Sequence, residues 1–598
     1  MDNPSENGGT RDSRPPTGAP STEAGSSGVS GPGGAALGAR LPEGMRFGPL
    51  MVVLMLGVFL AILNQTLLNV AIPHMMNEFN VSADTIQWVM TAYMLVNGVL
   101  IPISAFLMET FGSKTLFVVA MAFFTVGSLI CGVATDFPLM LTGRIVQAVG
   151  GGILMPLVMN IFLAIFPPEA RGRAMGFLGL GMIFAPAVGP TLSGWVVQYY
   201  TWRLLFYGMV PLGILVILMG VVYLRDIPRK HRPPLDLYGM VMSILGFGAL
   251  LYGFSEAGSG GWGQTQVIAG LSVGVIGVFL FVLRELSAAE PMLDFRIFRY
   301  DMFALSSLIN AIITMALFAG MFLLPIYLQN LRGFTPLQAG LLLLPGALIM
   351  GVMSPVSGAL FDRIGPRPLA VVGLIITAVT TFEFTKLTMQ TSYNHILALY
   401  VIRSFGMSLL MMPIMTAGLN QLPMVKNSHG TALSNTVRQV AGAIGTAFLT
   451  TVFTTRNDFH LRMYLDPINR YDPFVQQSVQ QMVGAASSAG LPPAQAQGLG
   501  ALGLYGSVAQ QAAVQGIDDA FWWATGFTVL GLLFSFFLRD VRRDRKRAAR
   551  GPVLADGALA QEPPSGTDPS GPDPSGPAPG RPSHQGPEGP LQPEGGQA

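Results

Sequence analysis

Arg144 and Gln147 stand three residues apart inside Leu141-Thr-Gly-Arg144-Ile-Val-Gln147-Ala-Val-Gly150, a stretch otherwise made of apolar and small residues. On a helix that spacing puts both side chains on one face. A guanidinium in such a stretch costs several kcal/mol unless water or polar partners meet it, so by default it marks a solute or ion path. A purely structural arginine, bonded to backbone carbonyls, is the competing reading. The first apolar run supplies amides at Asn64, Gln65 and Asn69, and the last two share a face four residues apart. Asn435, Arg438 and Gln439 form another polar stripe, at i, i+3 and i+4. Asn64, Gln65, Asn69, Arg144, Gln147, Asn435 and Gln439 are therefore candidate lining residues of a substrate cavity; the alternative for Asn64 and Gln65 is polar lining of a vestibule, and for the 435–439 stripe bonding between neighbouring helices.

Amides do not bind and release protons at physiological pH. If a proton moves with the solute, another group must carry it. Glu383, near the outer end of an apolar run, and His74, just past Pro73, are the candidates for proton coupling. Each has a plainer reading: Lys386 lies one turn beyond Glu383 as a surface partner, and a loop histidine is usually only solvated.

Two further patterns bear on movement rather than chemistry. Gly181-Met-Ile-Phe-Ala185-Pro186-Ala-Val-Gly189-Pro190-Thr-Leu-Ser-Gly194 combines glycine and proline at close spacing, which lets backbones approach and bends the helix. The segment 102–114, with Glu109, Gly112 and Lys114, repeats at constant offset in 355–367, with Asp362, Arg363, Gly365 and Arg367. Proline, small residue, carboxylate and glycine coincide, and Arg144 has its own counterpart in Arg403. A carboxylate at a helix end can pair with a neighbouring helix dipole or arginine, and a glycine permits a tight turn.

The elements that must position these residues follow from hydropathy. Hydrophobic residues make up 51% of the chain and charged residues 11%, against a soluble norm of roughly a quarter charged. Apolar runs recur near 50–72, 87–107, 115–135, 139–163, 174–197, 203–224, 236–254, 267–285, 302–328, 338–361, 368–388, 394–417, 431–454 and 520–538, each long enough to cross about 30 Å of hydrocarbon. The expected class is an all-α polytopic membrane protein with 14 transmembrane helices. The internal repeat divides it into two six-helix halves, 47–224 and 301–540, with an inserted helix pair and linkers at 225–300. Lys and Arg concentrate in alternate loops and after the last run, which places both termini in the cytoplasm of a multi-pass cell-membrane protein. Residues 456–519 read as an external loop folded as a helical hairpin, with helices over 474–489 and 493–515. The tails, 1–46 and 541–598, are low in complexity and expected to be disordered, the second after a basic start. No cleavable signal peptide is expected.

Several functions are excluded by what is missing. Cys131 is alone, so no disulfide or cysteine metal site can form. Gly112-Ser-Lys114-Thr115 lacks the spacing of a phosphate-binding loop, so transport would be secondary. Neither a metal cluster nor a nucleophile–base pair stands out. No enzyme activity, cofactor or nucleic-acid partner is expected.

The segments around Arg144 and over 181–194 resemble motifs B and C of the major facilitator superfamily, motif C being associated with exporters. The Glu109 and Asp362 loops resemble its motif A, the second more closely, because Glu109 and Thr110 replace the usual Asp and Arg. Trp202-Arg203, Gly260-Gly-Trp262-Gly and His429–Gly442 are further matches. From about 47 to 540 the chain resembles the EmrB/QacA-type fourteen-helix drug:proton antiporters, nearest the lincomycin-resistance-type branch. The resemblance implies a major facilitator fold and monomeric export of small amphipathic compounds across the bilayer, with protons as counter-ion. It also implies gating roles for Glu109, Gly112, Asp362, Arg363, Gly365, Arg367, Gly181, Pro186, Gly189, Pro190 and Gly194. Fourteen-helix relatives usually carry an Asp at the position of Asn64, and here the coupling carboxylate is absent from that stretch. A dedicated exporter of a lipid or endogenous metabolite is the alternative, and a non-transporting sensor of the same fold is a third reading.

Overall fold

The computed structural model describes residues 47–226, 234, 236–466 and 492–540, with isolated positions between 476 and 488. Its regular structure there is helical. The leading helices are α1 (Phe47–Phe79), α2 (Ala83–Thr110), α3 (Ser113–Val133), α4 (Phe137–Ile165), α5 (Arg171–Tyr199), the short α6 (Arg203–Tyr207) and α7 (Met209–Tyr223). A pair follows, α8 (Leu237–Gly260) and α9 (Thr265–Ser287). The trailing helices are α10 (Asp301–Ile326), α11 (Pro336–Ile364), α12 (Pro366–Glu383), α13 (Tyr393–Ser408), α14 (Met411–Leu419), α15 (Asn427–Leu465) and α16 (Pro493–Ser535).

Among the described residues, twelve helical stretches are long and apolar enough to cross a membrane. The chain is an all-α, multi-pass membrane protein. Polar side chains close the helix starts: Asp136 accepts from the Leu139 N–H at 2.9 Å, and Thr335 and Gln338 form a capping box on α11. Two apolar runs are each divided. The run 203–224 is broken at Gly208 into α6 and α7, and 394–417 becomes α13 and α14. The segments around 456–519 differ more. α15 continues to Leu465, and α16 runs unbroken from Pro493 through the last apolar run. The expected second hairpin helix and that last run are therefore one rod. About half of the expected helix over 474–489 falls outside the described residues, and its described positions are helical; both tails fall outside.

Side-chain size decides the packing, since bilayer lipid gives apolar helices little reason to associate. A methyl group on Gly150 would overlap the Ala120 carbonyl, and one on Gly127 would overlap the Gln147 backbone. α3 and α4 are thus in backbone contact. α8 and α9 meet the same way through Gly246, Gly274 and Gly277. α1 to α7 pack mainly on one another, as do α10 to α16. The two groups meet along α5–α11 and where α15 crosses α2 and α4, while α8 lies against α2 and α15. The end at which α1, α5, α10 and α15 begin is the near end below, and the opposite one is the far end.

Candidate functional site

Arg144 is buried to 1% exposure and its donors are engaged on three helices. Its Nε donates to the Val89 carbonyl of α2 at 3.0 Å. One terminal nitrogen donates to Asn64 Oδ1 of α1 at 2.5 Å and to Gln147 Oε1 at 2.6 Å. The guanidinium lies 4.2 Å from the centroid of the Tyr93 ring, a cation–π contact. Gln147 Nε2 donates in turn to Ser128 Oγ of α3 at 2.6 Å. Gly151 lets Tyr93 in, because a β-carbon there would meet its hydroxyl at 2.5 Å. The cation is held by neutral acceptors and an aromatic face. It is Asn64, not its neighbour Gln65, that meets Arg144, and Gln65 is half-buried beside it. The side chain of Asn69 lies outside the described residues. Ser128 was beyond sequence reasoning, since only the glycine contacts of α3 and α4 bring it to Gln147.

The sequence counterpart of Arg144 is buried as well. Arg403 is buried in the trailing group, donating to Thr381 Oγ1 at 3.2 Å and to the Ala316 carbonyl at 3.0 Å.

The two repeated carboxylates both bridge the groups at the near end. Asp362, at the end of α11, accepts from the N–H groups of Gly172 at 3.0 Å and Arg173 at 2.9 Å, the first turn of α5. These N–H groups have no partner within their own helix, and the dipole favours an anion there. Glu109, at the end of α2, accepts from Ser428 Oγ at 2.5 Å and lies 2.9 Å from His429 Nε2, both in the first turn of α15. In the sequence His429 belongs to the segment His429–Gly442 and carries no sign of this contact. Arg171 adds a bond to Asn420 Oδ1 at 3.2 Å. Gly358 lies against the Gly172 carbonyl too closely for any side chain. Asn435 Nδ2 donates to the Thr431 carbonyl at 2.8 Å and contacts Met159 Sδ of α4, while Gln439 packs beside Gly98 of α2. These contacts join the two groups at the near end.

The glycines with expected gating roles are not alike. Gly365 has φ +87°, which only glycine adopts without strain, whereas Gly112 has φ −61° and serves as an ordinary N-cap. Arg363 and Arg367 are exposed at the near end. In the 181–194 segment, a methyl group on Gly189 would overlap Thr66 Oγ1 of α1, Gly181 has ordinary contact distance to Met55, and Gly194 faces open space. Pro186 is half-buried, and the side chain of Pro190 is outside the described residues. Gly189→Leu should therefore abolish transport at normal membrane abundance, because the overlap with α1 costs about 1–3 kcal/mol or more. Gly194→Leu should transport like wild type. A dye-efflux assay on both variants checks this, and equal activity would show that α1 and α5 are not in close contact.

Both proton-coupling candidates lie at the surface. Glu383 pairs with Lys386 at 2.8 Å, and His74 is exposed. At the far end Glu78 receives Trp202 Nε1 at 2.5 Å and forms an ion pair with Arg203. Burial alone would raise the Glu78 carboxyl, but these bonds hold it below the usual range.

Buried arginines thus stand in both helix groups, and carboxylates bridge between the groups at the near end. Residues 54–446 match the model of the Major Facilitator Superfamily, and the chain belongs to that family. It is 56% identical over 507 residues to the uncharacterized MFS-type transporter YhcA of Bacillus subtilis (strain 168), covering 85% of this chain and 95% of that one. It is 36% identical to the lincomycin resistance protein LmrB of the same organism, covering 83% and 96%. The human organic anion transporter MFSD10 (TETRAN) shares the fold, with TM-score 0.54 at 12% identity, covering 81% of this chain and 99% of that one.

Proposed function

We propose that the chain is a secondary active exporter of amphipathic compounds, working in exchange for protons, of the fourteen-helix EmrB/QacA type. In this reading α15 and the apolar part of α16 also span the membrane, and α1–α7 and α10–α16 are the two six-helix halves. The near end is cytoplasmic, as the concentration of Lys and Arg in its loops favours. The structure then represents the state closed to the cytoplasm. The observation that carries the reading is the pair of equivalent latches, Asp362 on α5 and Glu109 on α15, both at one end. Opening that end requires both to break while the groups move as bodies, which is alternating access.

Export as the direction is supported by the glycine–proline segment of α5 and by the resistance protein among the relatives. The amides at 64 and 65 leave the proton site to other groups. One observation favours a substrate drawn from the bilayer, whether drug or lipid. A largely apolar cavity of about 420 Å³ opens between α5 and α11 at the far end, lined by Val188, Leu192, Trp195, Leu337 and Leu344 among others.

Cells expressing the chain should retain several-fold less of a fluorescent lipophilic cation than vector controls, and collapse of the proton gradient should abolish the difference. Equal retention across a panel of such cations would overturn the multidrug reading.

A further inference from the structure

Asp518 lies on α16 near the far end, two residues before the last apolar run. It is 7% exposed, and its Oδ1 has no hydrogen-bond partner. The carboxyl also takes a hydrogen bond from the Leu387 backbone N–H, just beyond the turn Phe384–Lys386 that ends α12. Ile517, Phe521, Phe384, Leu387 and Tyr327 belong to the apolar cluster around it. Its neighbour Asp519 points elsewhere and holds α15, accepting from Arg456 Nε at 2.5 Å and lying 2.8 Å from His460 Nε2. Adjacent carboxyls thus tie α16 in two directions, one to the α12–α13 turn and one to α15.

α16 packs on α10, α12 and α15, on the turn Phe384–Lys386 and on the π-helical turn Tyr327–Leu331. Of the cations those elements bring to this end, Arg462 is exposed in the last turn of α15, and the others are engaged with other groups. Arg456 and His460 are on Asp519, and Lys386 is on Glu383. Arg332 donates to Tyr327 Oη at 3.0 Å and to the Thr391 carbonyl at 2.7 Å. What faces Asp518 is apolar surface and one backbone N–H, while the Asp519 carboxylate, turned to α15, acts on it only as a nearby like charge. An ionised carboxylate there would carry an unsatisfied oxygen in an apolar site beside a like charge.

We propose that Asp518 is a proton-binding site through which the pH at the far face controls the docking of α16 on the α12–α13 turn. Burial, with Asp519 adding to it against the Leu387 bond, pushes its carboxyl up to about 8. The docked state therefore binds more protons than the undocked one, whose carboxyl has its ordinary affinity. The sign follows from linkage: docking is strongest in acid, weakens as pH rises, and has lost its proton-dependent part once pH passes about 8. The docked ionised fraction rises from about a tenth at pH 7 to about nine-tenths at pH 9. The effect has a route to the latch. α15 is a single rod of 39 residues, held to α16 through Asp519 at one end and carrying Ser428 and His429 in its first turn at the other.

The consequence for transport rests on the exporter reading, but docking itself does not, so the test has two arms. In the full-length protein in detergent, hydrogen exchange of 384–388, corrected for the intrinsic rate, should accelerate several-fold between pH 7 and pH 9. The Asp518→Asn variant, which mimics the neutral acid, should stay at the slow rate throughout. Corrected exchange independent of pH in the wild type overturns the proposal even if the variant fails to fold. In proteoliposomes held at a constant pH difference across the bilayer, wild-type transport should change as the far-side pH crosses the same window, and Asp518→Asn should not show that change. A variant that keeps the wild-type profile removes Asp518 from that control. Absence of transport in both proteins, with the exchange result intact, contradicts only the exporter reading.

Discussion

Arg144→Ala should reduce transport by about a hundredfold or more, the largest effect of any single side chain outside the glycine contacts. The substitution leaves Asn64 Oδ1, Gln147 Oε1 and the Val89 carbonyl without the donor that joins them. Each unpaired buried group costs about 1–3 kcal/mol, and about 3 kcal/mol is already more than a hundredfold in an equilibrium constant. α1, α2 and α4 would lose their common tie. Arg144→Lys should recover only part, since an ammonium can reach the two side-chain oxygens but cannot lie flat on Tyr93 while also donating to Val89. Efflux rates normalised to folded protein, from size-exclusion profiles of each variant, give the comparison. Wild-type rates in the alanine variant would remove Arg144 from the mechanism.

The second large effect is expected at Asp362. Asp362→Ala deletes two charge-assisted bonds to the first turn of α5. At about 1.5–3 kcal/mol each, their loss shifts the balance between latched and open near ends by about a hundredfold to about ten-thousandfold. Asp362→Asn should have the same sign and a smaller size, because its oxygen still accepts one N–H but the charge opposite the dipole is gone. Spin labels at Phe111 and Val425, both exposed beside the Glu109 latch, should show a longer distance population in both variants. A distribution unchanged from wild type would mean that Asp362 does not hold the near end closed.

Much of this arrangement is legible in the sequence, because the membrane constrains it so strongly. Runs of apolar residues fix most helices, and the offset repeat around Glu109 and Asp362 pairs the two groups. The Arg144–Gln147 spacing makes those two residues share a face, as found. The limits are physical too. Asn64 and Gln65 are adjacent amides on one helix, and only the approach of α4 decides that Asn64 reaches Arg144. Ser128 looks like any small polar residue of an apolar helix until Gly127 and Gly150 bring α3 against α4. Gly181, Gly189 and Gly194 are equivalent in a pattern, but only Gly189 has a neighbour that forbids a side chain. Helical ends hide in composition as well. The Ser/Thr/Asn-rich α15 and the Gln/Ala/Gly-rich start of α16 lack a break where the apolar runs stop, so the rods continue past the expected boundaries. Asp518 escapes notice in sequence because it stands beside Asp519 just before the last apolar run, where charged pairs are ordinary. Burial distinguishes the two.

The central claim, export in exchange for protons, is tested most directly by uptake of a fluorescent lipophilic cation into inside-out membrane vesicles with an imposed pH gradient. The account predicts uptake when the lumen is acidified, collapse of that uptake when the gradient is dissipated, and alkalinisation of the lumen as substrate enters. Uptake that is indifferent to the gradient and moves no protons would contradict it.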